Sequence, residues 1–422
     1  MVDERRAAHA GGDAKGSTEG GIAMDQVVVI GSGPAGLACG AEVVRRGVPV
    51  TVLEKGEGAA AAWRGRYDRL RFNTSRVHSA LPGEPFPRGW GQFPTRDQYV
   101  EYLDGFARAR GVQVTTGVTV ERLDPTRDGW CIRTDSGERS AGQVVVATGM
   151  FNRPLLPGWA EDVDFPGAVL HAVDYRNAAP FVGRDVVVVG AGSTGMEIAH
   201  DLAVGGAHSV ALAVRTPPNI LLRTVAGQPV DLPVPLFLRL PPAVVDRMLQ
   251  RMQRLLLGDL TAYGLPQPQV GPMAALRERG AGTAIVDKEV IDAVRDGRIR
   301  VVAAVHSLEA KGARLRDGSL LTVDAVVVAT GYDTGLEPLV GHLDVLHEDG
   351  LPRMPAGEEA MPGLRFLGYT RRPGITGYVG RQARRVAPGI VARARASQPS
   401  PAGSRRRAWR RPTSRDRAGS RT

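Results

Sequence analysis

Two glycine-rich loops, each directly behind a run of β-branched residues, constrain the fold of this 422-residue chain more than any other feature. Residues 26–30 run into one G-x-G-x-x-G pattern, and residues 185–189 run into a second. Such unbroken apolar runs predict strands that are buried on both faces of a parallel sheet. A helical pattern and another strand pattern follow each loop. The sequence therefore predicts an α/β fold with two Rossmann-like units, each built in three layers.

Each loop has the residue types that the pyrophosphate of a dinucleotide requires. The first glycine permits a tight turn, the second lets the backbone approach the pyrophosphate, and the third lets the helix pack on the strand. The N–H groups at the start of the helix carry about half a positive charge toward the phosphates. We therefore predict two dinucleotide sites, formed by Gly31, Gly33, Pro34, Ala35 and Gly36 in the first loop and by Gly190, Gly192, Ser193, Thr194 and Gly195 in the second.

The residue that ends the strand after each loop distinguishes the two sites. Glu54 ends the strand at 49–53, where a carboxylate accepts hydrogen bonds from ribose hydroxyls. Arg215 takes that position in the second unit, where a guanidinium pairs with a 2′-phosphate. The second site is therefore predicted to prefer NADPH, with Arg223 as a further phosphate contact. The alternative is that Arg215 is a surface arginine beside an NAD site.

Two more apolar strand patterns, at 143–147 and 325–329, each end in Ala-Thr-Gly. Glycine at such a point allows the chain to pass closely by a cofactor or a linker. We therefore predict an adenine flavin in the first unit, an exchanging nicotinamide in the second, and an NADPH-binding domain inserted in a discontinuous FAD-binding domain. The cofactor-binding residues at these strand ends are predicted to be Thr148, Gly149, Thr330, Gly331 and Tyr332. The predicted FAD domain comprises 25–155 and 320–392. The NADPH domain comprises 156–319 with a lid or substrate insertion at about 216–280, in which residues 243–257 have the pattern of an amphipathic helix.

The chain ends differ in composition from the body. Residues 393–422 hold ten arginines and one acid, a charge of +9, so only about +1 of the total +10 remains for the rest. We predict a disordered basic tail at 393–422 and a disordered leader at 1–24 without a secretory signal. No nucleic-acid partner is expected, the alternative being that the tail is a tether for nucleic acid or another anionic surface.

The cysteine count and the hydropathy argue against several other classes of protein. Cys39 and Cys131 are too few for a disulfide framework and predict no metal site, which favours a cytoplasmic protein. They also lack the short spacing of a redox pair, which argues against a disulfide reductase. No apolar run reaches the roughly 18 residues of a membrane-spanning helix.

A pattern just before the second loop resembles the flavin-containing monooxygenases. Phe165, Gly167, His171 and Tyr175 form the sequence F-x-G-x-x-x-H-x-x-x-Y. The resemblance extends over about 25–390. It implies an enzyme that uses FAD, NADPH and O₂ and forms a flavin C4a-hydroperoxide to oxygenate a small organic substrate. Tyr175 argues against the Baeyer–Villiger branch, which usually has Trp at this position.

The segments 63–70, 81–87, 93–99 and 263–268 are most similar to the YUCCA-type branch. That branch implies a 2-oxo acid substrate such as indole-3-pyruvate, whereas the wider family implies nitrogen or sulfur centres, and N-hydroxylation is a third option. The segment 71–75 instead resembles the wider family, in which the matching asparagine lies near the flavin and the nicotinamide. Asn73 is therefore the catalytic candidate, a polar group beside the reacting oxygen, the alternative being an ordinary loop asparagine. Lys55, Trp63, Arg64 and His171 complete the predicted cofactor-binding set, with domain positioning as the favoured role of His171.

Two alternatives from other classes stay open. An NADPH-dependent flavin reductase or oxidase without a stable oxygen adduct would use the same cofactors. A binding protein would act through its basic tail. The sequence is compatible with a homodimer and does not predict one.

Overall fold

The computed structural model describes residues 24–161, 164–280 and 282–396. The predicted leader, apart from Met24, and the predicted tail beyond residue 396 lie outside this range. The last helix runs to Ala396, so the tail boundary at 393 was placed about one helical turn too early. None of the described helices combines the length and apolar character needed to cross a membrane.

The described chain contains 22 strands and 11 α-helices. The strands are β1 Met24–Ile30, β2 Thr51–Leu53, β3 Val114–Thr115, β4 Val120–Pro125, β5 Trp130–Thr134, β6 Gly137–Val146, β7 Arg153–Pro154, β8 Ala168–His171, β9 Asp185–Val189, β10 Ser209–Val214, β11 Ile220–Leu222, β12 Thr224–Val225, β13 Gln228–Pro229, β14 Ala284–Val286, β15 Arg300–Ala303, β16 Val305–Glu309, β17 Gly312–Leu315, β18 Leu320–Leu321, β19 Ala325–Val328, β20 Tyr332–Asp333, β21 Glu359–Met361 and β22 Leu364–Phe366. The helices are α1 Pro34–Val44, α2 Ala61–Arg64, α3 Arg76–Ser79, α4 Arg96–Ala109, α5 Ser193–Val204, α6 Val234–Phe237, α7 Pro242–Leu257, α8 Pro272–Arg279, α9 Lys288–Arg295, α10 Glu337–Val340 and α11 Ile375–Ala396.

The first sheet has the strand order β21-β22-β6-β1-β2-β3, and β4 and β5 extend β6 as an antiparallel meander. Strand β1 is parallel to both of its neighbours, β2 and β6. Because side chains alternate between the two faces of a strand, Val27 and Val29 pack against the helices α1, α4 and α11. Val28 and Ile30 pack against the meander and α10 on the opposite face. Both faces are covered, which is why the run is apolar throughout.

The second sheet is fully parallel, with the order β15-β10-β9-β19-β8. The helices α5 and α9 cover one face, and the antiparallel strands β16–β18 cover the other. The prediction that the first domain resumes at residue 320 was wrong, because β19 pairs with β9 and β8 in this second sheet. An apolar run such as Ala325–Val328 fits the interior of either sheet, so its pattern did not indicate which one it joins.

Two short strands mark where the chain passes between the sheets. The outgoing strand β7 and the returning strand β20 pair antiparallel, with Tyr332 opposite Pro154. The chain thus leaves the first sheet after β6 and returns to it only after β20, where β21 and β22 complete the sheet. The second sheet is an insertion in the first unit, and the two passages lie side by side.

Candidate functional site

The outer glycines of both loops have no room for a side chain. Gly31 has a φ of +99°, and a Cβ there would lie 2.8 Å from the carbonyl oxygen of Ala147. Gly190 has a φ of +115°, and a Cβ there would lie 2.5 Å from the carbonyl oxygen of Ala329. A Cβ at Gly36 or Gly195 would overlap the carbonyl oxygen of the first glycine of its own loop. Backbone geometry therefore requires these four glycines.

The middle glycine of each loop has open space instead. Among the described residues, no atom other than those of its chain neighbours lies within 4 Å of a Cβ built at Gly33 or at Gly192. Both residues are the N-caps of their helices, α1 and α5, and no side chain caps either helix. Each loop is thus a concave backbone surface in front of free helix N–H groups, which a methyl group would partly fill. The shape and the donors fit a pyrophosphate.

Glu54 lies at the mouth of the first loop and is 7% exposed. Its Oε2 accepts hydrogen bonds from the Ser32 backbone N–H at 2.9 Å and from the Ser32 hydroxyl at 2.5 Å. Its Oε1 accepts from the Gly56 N–H at 3.0 Å. The carboxylate therefore orders the loop itself, and its remaining lone pairs are what a ribose hydroxyl would meet.

The two arginines predicted for the second site lie in different surroundings. Arg215 is exposed at the end of β10 and forms no ion pair or hydrogen bond within the described residues. Arg223 is 2% exposed and is ion-paired with Glu197 on α5. Its Nε and Nη1 are buried without a hydrogen-bond partner among the described residues, and its role as a phosphate contact stays a prediction. Arg215 has the free guanidinium that a 2′-phosphate requires.

One part of the first site was missed in the sequence. Strand β22 lies beside β6 and is followed two residues later by Gly368. Gly368 has a φ of +94°, and a Cβ built there would lie 3.3 Å from that of Ala35. The next residue, Tyr369, shares a 2.7 Å hydrogen bond with the Thr148 hydroxyl, and burial raises its pKa to about 12. Gly368 and Tyr369 therefore border the first loop. The signal was a third apolar strand pattern that ends in glycine.

Of the residues predicted beside the first loop, Trp63 and Asn73 lie close together, whereas Lys55 and Arg64 do not join them. Trp63 packs against Phe72 and Tyr99, with ring centroids 5.1 and 4.6 Å away, and Phe72 directly precedes Asn73. The Asn73 side-chain oxygen is buried without a hydrogen-bond partner in the described chain. Two others point elsewhere: Lys55 donates to Asn152 at 3.0 Å, and Arg64 pairs with Asp104 at 2.5 Å. An orphaned buried acceptor behind an aromatic wall is what a bound polar group would complete.

His171 joins the two passages between the sheets. The Val173 N–H donates to its Nδ1 at 3.1 Å, so the ring proton is on Nε2, which donates to the Gly331 carbonyl at 3.1 Å. The ring also stands edge-on to Tyr332 at 4.9 Å. Burial lowers the pKa of His171, which keeps it neutral. The Thr330 hydroxyl donates to the Leu155 carbonyl at 2.5 Å in the same junction. These contacts position the two units.

Comparison with known proteins identifies the family. A family model described as pyridine nucleotide-disulphide oxidoreductase matches residues 28–220. The indole-3-pyruvate monooxygenase YUCCA1 of Oryza sativa subsp. japonica is 34% identical over 353 residues, 82% of this chain and 86% of that protein. The probable indole-3-pyruvate monooxygenase YUCCA3 of Arabidopsis thaliana is 32% identical, with 82% of each chain covered. The chain belongs to the YUCCA-type flavin monooxygenases.

Solved structures agree on the fold. The flavin-containing monooxygenase of Stenotrophomonas maltophilia superimposes with a TM-score of 0.65 at 23% identity, over 87% of this chain and 99% of that one. A cyclohexanone monooxygenase with bound ε-caprolactone gives a TM-score of 0.69 at 17% identity, over 88% of each chain. The predicted mixed α/β fold, monooxygenase class and cofactor pair, FAD and NADPH, are confirmed for this family member.

In this flavin monooxygenase a buried clamp holds α5 against the first unit. The Tyr67 hydroxyl donates to Glu197 on α5 at 2.5 Å. One turn later, Asp201 pairs with Arg69 of the first unit at 3.4 Å and also accepts from the Tyr175 hydroxyl of its own unit at 2.7 Å. Burial raises the pKa of Glu197. The clamp fixes where the second glycine loop stands relative to the first unit, and no single sequence pattern predicted it.

The insertion also reaches the first unit. The carboxylate of Asp231 accepts from the Ser75 N–H at 2.8 Å and from the Ser75 hydroxyl at 3.0 Å. Asp231 is 4% exposed, so this contact packs the insertion against the segment that follows Asn73. The predicted amphipathic helix of the insertion is present as α7. The insertion therefore forms one wall beside the catalytic candidate.

Proposed function

We propose that this protein is an FAD- and NADPH-dependent monooxygenase of 2-oxo acids, with FAD at the first glycine loop and NADPH at the second. The observation that carries the proposal is the pair of matched loops, each open only at its middle glycine, Gly33 or Gly192. The names of the relatives, indole-3-pyruvate monooxygenases, support this acid as the substrate.

The residues around each loop divide the binding work. For FAD, the N–H groups at the start of α1 would meet the pyrophosphate, Glu54 would accept from the ribose, and Gly368 would let the backbone pass closely. For NADPH, the start of α5 would meet the pyrophosphate, and Arg215 would pair with the 2′-phosphate. When bound, NADPH supplies the electrons and FAD activates O₂.

The protein itself positions the bound groups and keeps water out of the site. The rings of Trp63, Phe72 and Tyr99 form an apolar wall, and the Asn73 oxygen beside them accepts a hydrogen bond from a bound group. Excluding water matters because loss of activated oxygen as hydrogen peroxide is the competing reaction. The clamp at Tyr67 and Glu197 keeps the two units at a fixed distance and orientation. Electron transfer between two bound cofactors requires such a fixed geometry.

The overall reaction balances for a 2-oxo acid. One 2-oxo acid, one O₂, one NADPH and one proton give the shortened carboxylic acid, CO₂, NADP⁺ and water. One oxygen atom enters the acid and the other leaves as water. The free thiols Cys39 and Cys131 support the further proposal that the reaction takes place in the cytoplasm.

Isotope labelling tests the proposal directly. The holoenzyme is supplied with NADPH, indole-3-pyruvate and ¹⁸O₂, and indole-3-acetate is analysed by mass spectrometry. One labelled oxygen per product, with one NADPH consumed, is the expected result. NADPH consumption with stoichiometric peroxide and no labelled acid would refute the proposal and favour the reductase alternative.

A further inference from the structure

An arginine without a counter-ion lies beside the first site. Arg372 follows β22 and is half-buried, and its guanidinium lies 3.8 Å from the centroid of the Tyr378 ring. Its Nε donates to the Pro373 carbonyl at 3.2 Å. Neither its hydrogen bonds nor its electrostatic neighbours include a carboxylate in the described chain. A partly desolvated cation without an anion is costly, so an anionic ligand would stabilise it.

The surroundings of Arg372 add positive potential. Arg381 lies over the same Tyr378 ring, 5.5 Å from its centroid. The 22-residue helix α11 begins at Ile375, so its N-terminal end points its partial positive charge toward this segment. Burial lowers the pKa of Arg372, and Arg381 adds to the shift. By contrast, the preceding residue Arg371 is already neutralised by Asp349 at 2.9 Å.

The position of Arg372 connects it to the cofactor site. Tyr369, three residues earlier, is bonded to Thr148 at the first glycine loop. A Cβ built at Gly374, two residues later, would lie 3.8 Å from His78, in the segment that follows Asn73. Two buried polar atoms in this region, His78 Nε2 and Thr376 Oγ1, have no hydrogen-bond partner in the described chain. The guanidinium of Arg372 is thus found in the same region as two buried polar atoms that lack hydrogen-bond partners in the described chain.

We propose that Arg372, supported by Arg381, binds the carboxylate of the substrate and so makes the enzyme selective for acids. The substrate class rests on the proposed function. Stacking on Tyr378 fixes the plane of the guanidinium, and a carboxylate in that plane would make a two-point contact with it. Tyr378 is therefore a positioning residue for Arg372.

Steady-state kinetics with indole-3-pyruvate test the role of Arg372. Arg372→Gln is expected to raise KM about 10- to 100-fold with a smaller change in kcat, since a charged hydrogen-bonded contact made equally in the ground and transition states is lost. The matched control, Arg371→Gln, removes a charge that Asp349 already neutralises and is expected to keep KM within about 2-fold. Equal KM values in the unchanged enzyme and Arg372→Gln would overturn the inference.

A binding assay separates this inference from the proposed function. The oxidised holoenzyme is titrated with indole-3-acetate and with its neutral analogue indole-3-acetamide while the flavin spectrum is recorded. Arg372→Gln is expected to weaken the acid about 10- to 100-fold and to leave the amide unchanged. If this holds although indole-3-pyruvate is not oxygenated, the proposed function fails and the carboxylate site stands. If the acid binds no better than the amide to the unchanged protein, the carboxylate site is refuted. Unchanged FAD content and NADPH KM in Arg372→Gln are required, because a fall in FAD content or a rise in the NADPH KM would assign the guanidinium to a cofactor instead.

Discussion

Gly192→Ala is expected to damage NADPH use without damaging the fold. Gly192 has a φ of −77° and a ψ of 177°, an extended conformation that alanine adopts without strain. A Cβ at this position meets no atom within 4 Å, so the methyl group projects into the open face of the second loop. This face is where the pyrophosphate of NADPH would approach the backbone.

The structure sets the expected magnitudes. Replacing glycine by alanine at an N-cap costs about 1 kcal/mol or less, which is a fall in Tm of less than about 4 °C. Displacing a charged pyrophosphate from one backbone N–H costs about 1.5–3 kcal/mol, which is a rise in the NADPH KM of about 10- to 100-fold. Stopped-flow reduction of the bound flavin at varied NADPH concentration measures the second effect, and thermal unfolding measures the first.

Two variants control this experiment. Gly105→Ala lies within α4, where a Cβ also meets open space, and is expected to raise Tm slightly and to keep the NADPH KM. Gly195→Ala places its methyl group onto the Gly190 carbonyl and is expected to unfold the second unit. An NADPH KM for Gly192→Ala that equals that of the unchanged enzyme would refute the assignment of NADPH to this loop.

Three further predictions follow from single residues. Arg215→Glu is expected to raise the NADPH KM about 10- to 100-fold and to change the NADH KM little, and an unchanged ratio of the two would remove Arg215 from the 2′-phosphate site. Burial raises the pKa of Cys39 to about 12, so iodoacetamide at pH 8 is expected to modify only Cys131 in the folded protein; mass spectrometry would contradict this by finding label on Cys39. The pKa of His171 is lower in the folded protein than its ordinary value of 6.5, so as the pH falls the unfolded chain takes up a proton at this histidine before the folded protein does. The free energy of unfolding is therefore expected to fall as the pH drops below 6.5. Denaturant titrations should find this fall reduced in His171→Gln, and an identical pH profile would refute it.

The glycine loops were predictable because their requirements are local. A positive φ at Gly31 and a carbonyl pressed against Gly36 are consequences of a few consecutive residues, so spacing alone identified them. The same holds for α7, which its helical period predicted. Strand β19 was assigned to the wrong sheet because pairing joins residues far apart in sequence, and an apolar run satisfies either partner.

Side-chain roles were harder to predict when burial decided them. Arg215 and Arg223 both follow strand β10, yet one is exposed and the other is 2% exposed against Glu197. Only the packing of α5 separates them, and the sequence around Arg223 carries no sign of it. Gly368 was overlooked because β22 is short and joins the first sheet more than 200 residues after β6. The site thus depends on contacts between the two units as much as on its motifs.

The most direct test of the central claim begins with the purified yellow protein, reduced by NADPH without oxygen. The reduced protein is then mixed rapidly with air while spectra and peroxide are recorded. A monooxygenase with a dry, closed site predicts a near-ultraviolet flavin spectrum that persists until a 2-oxo acid is added, with little peroxide. Immediate return of the oxidised flavin spectrum with one peroxide per NADPH would contradict the account.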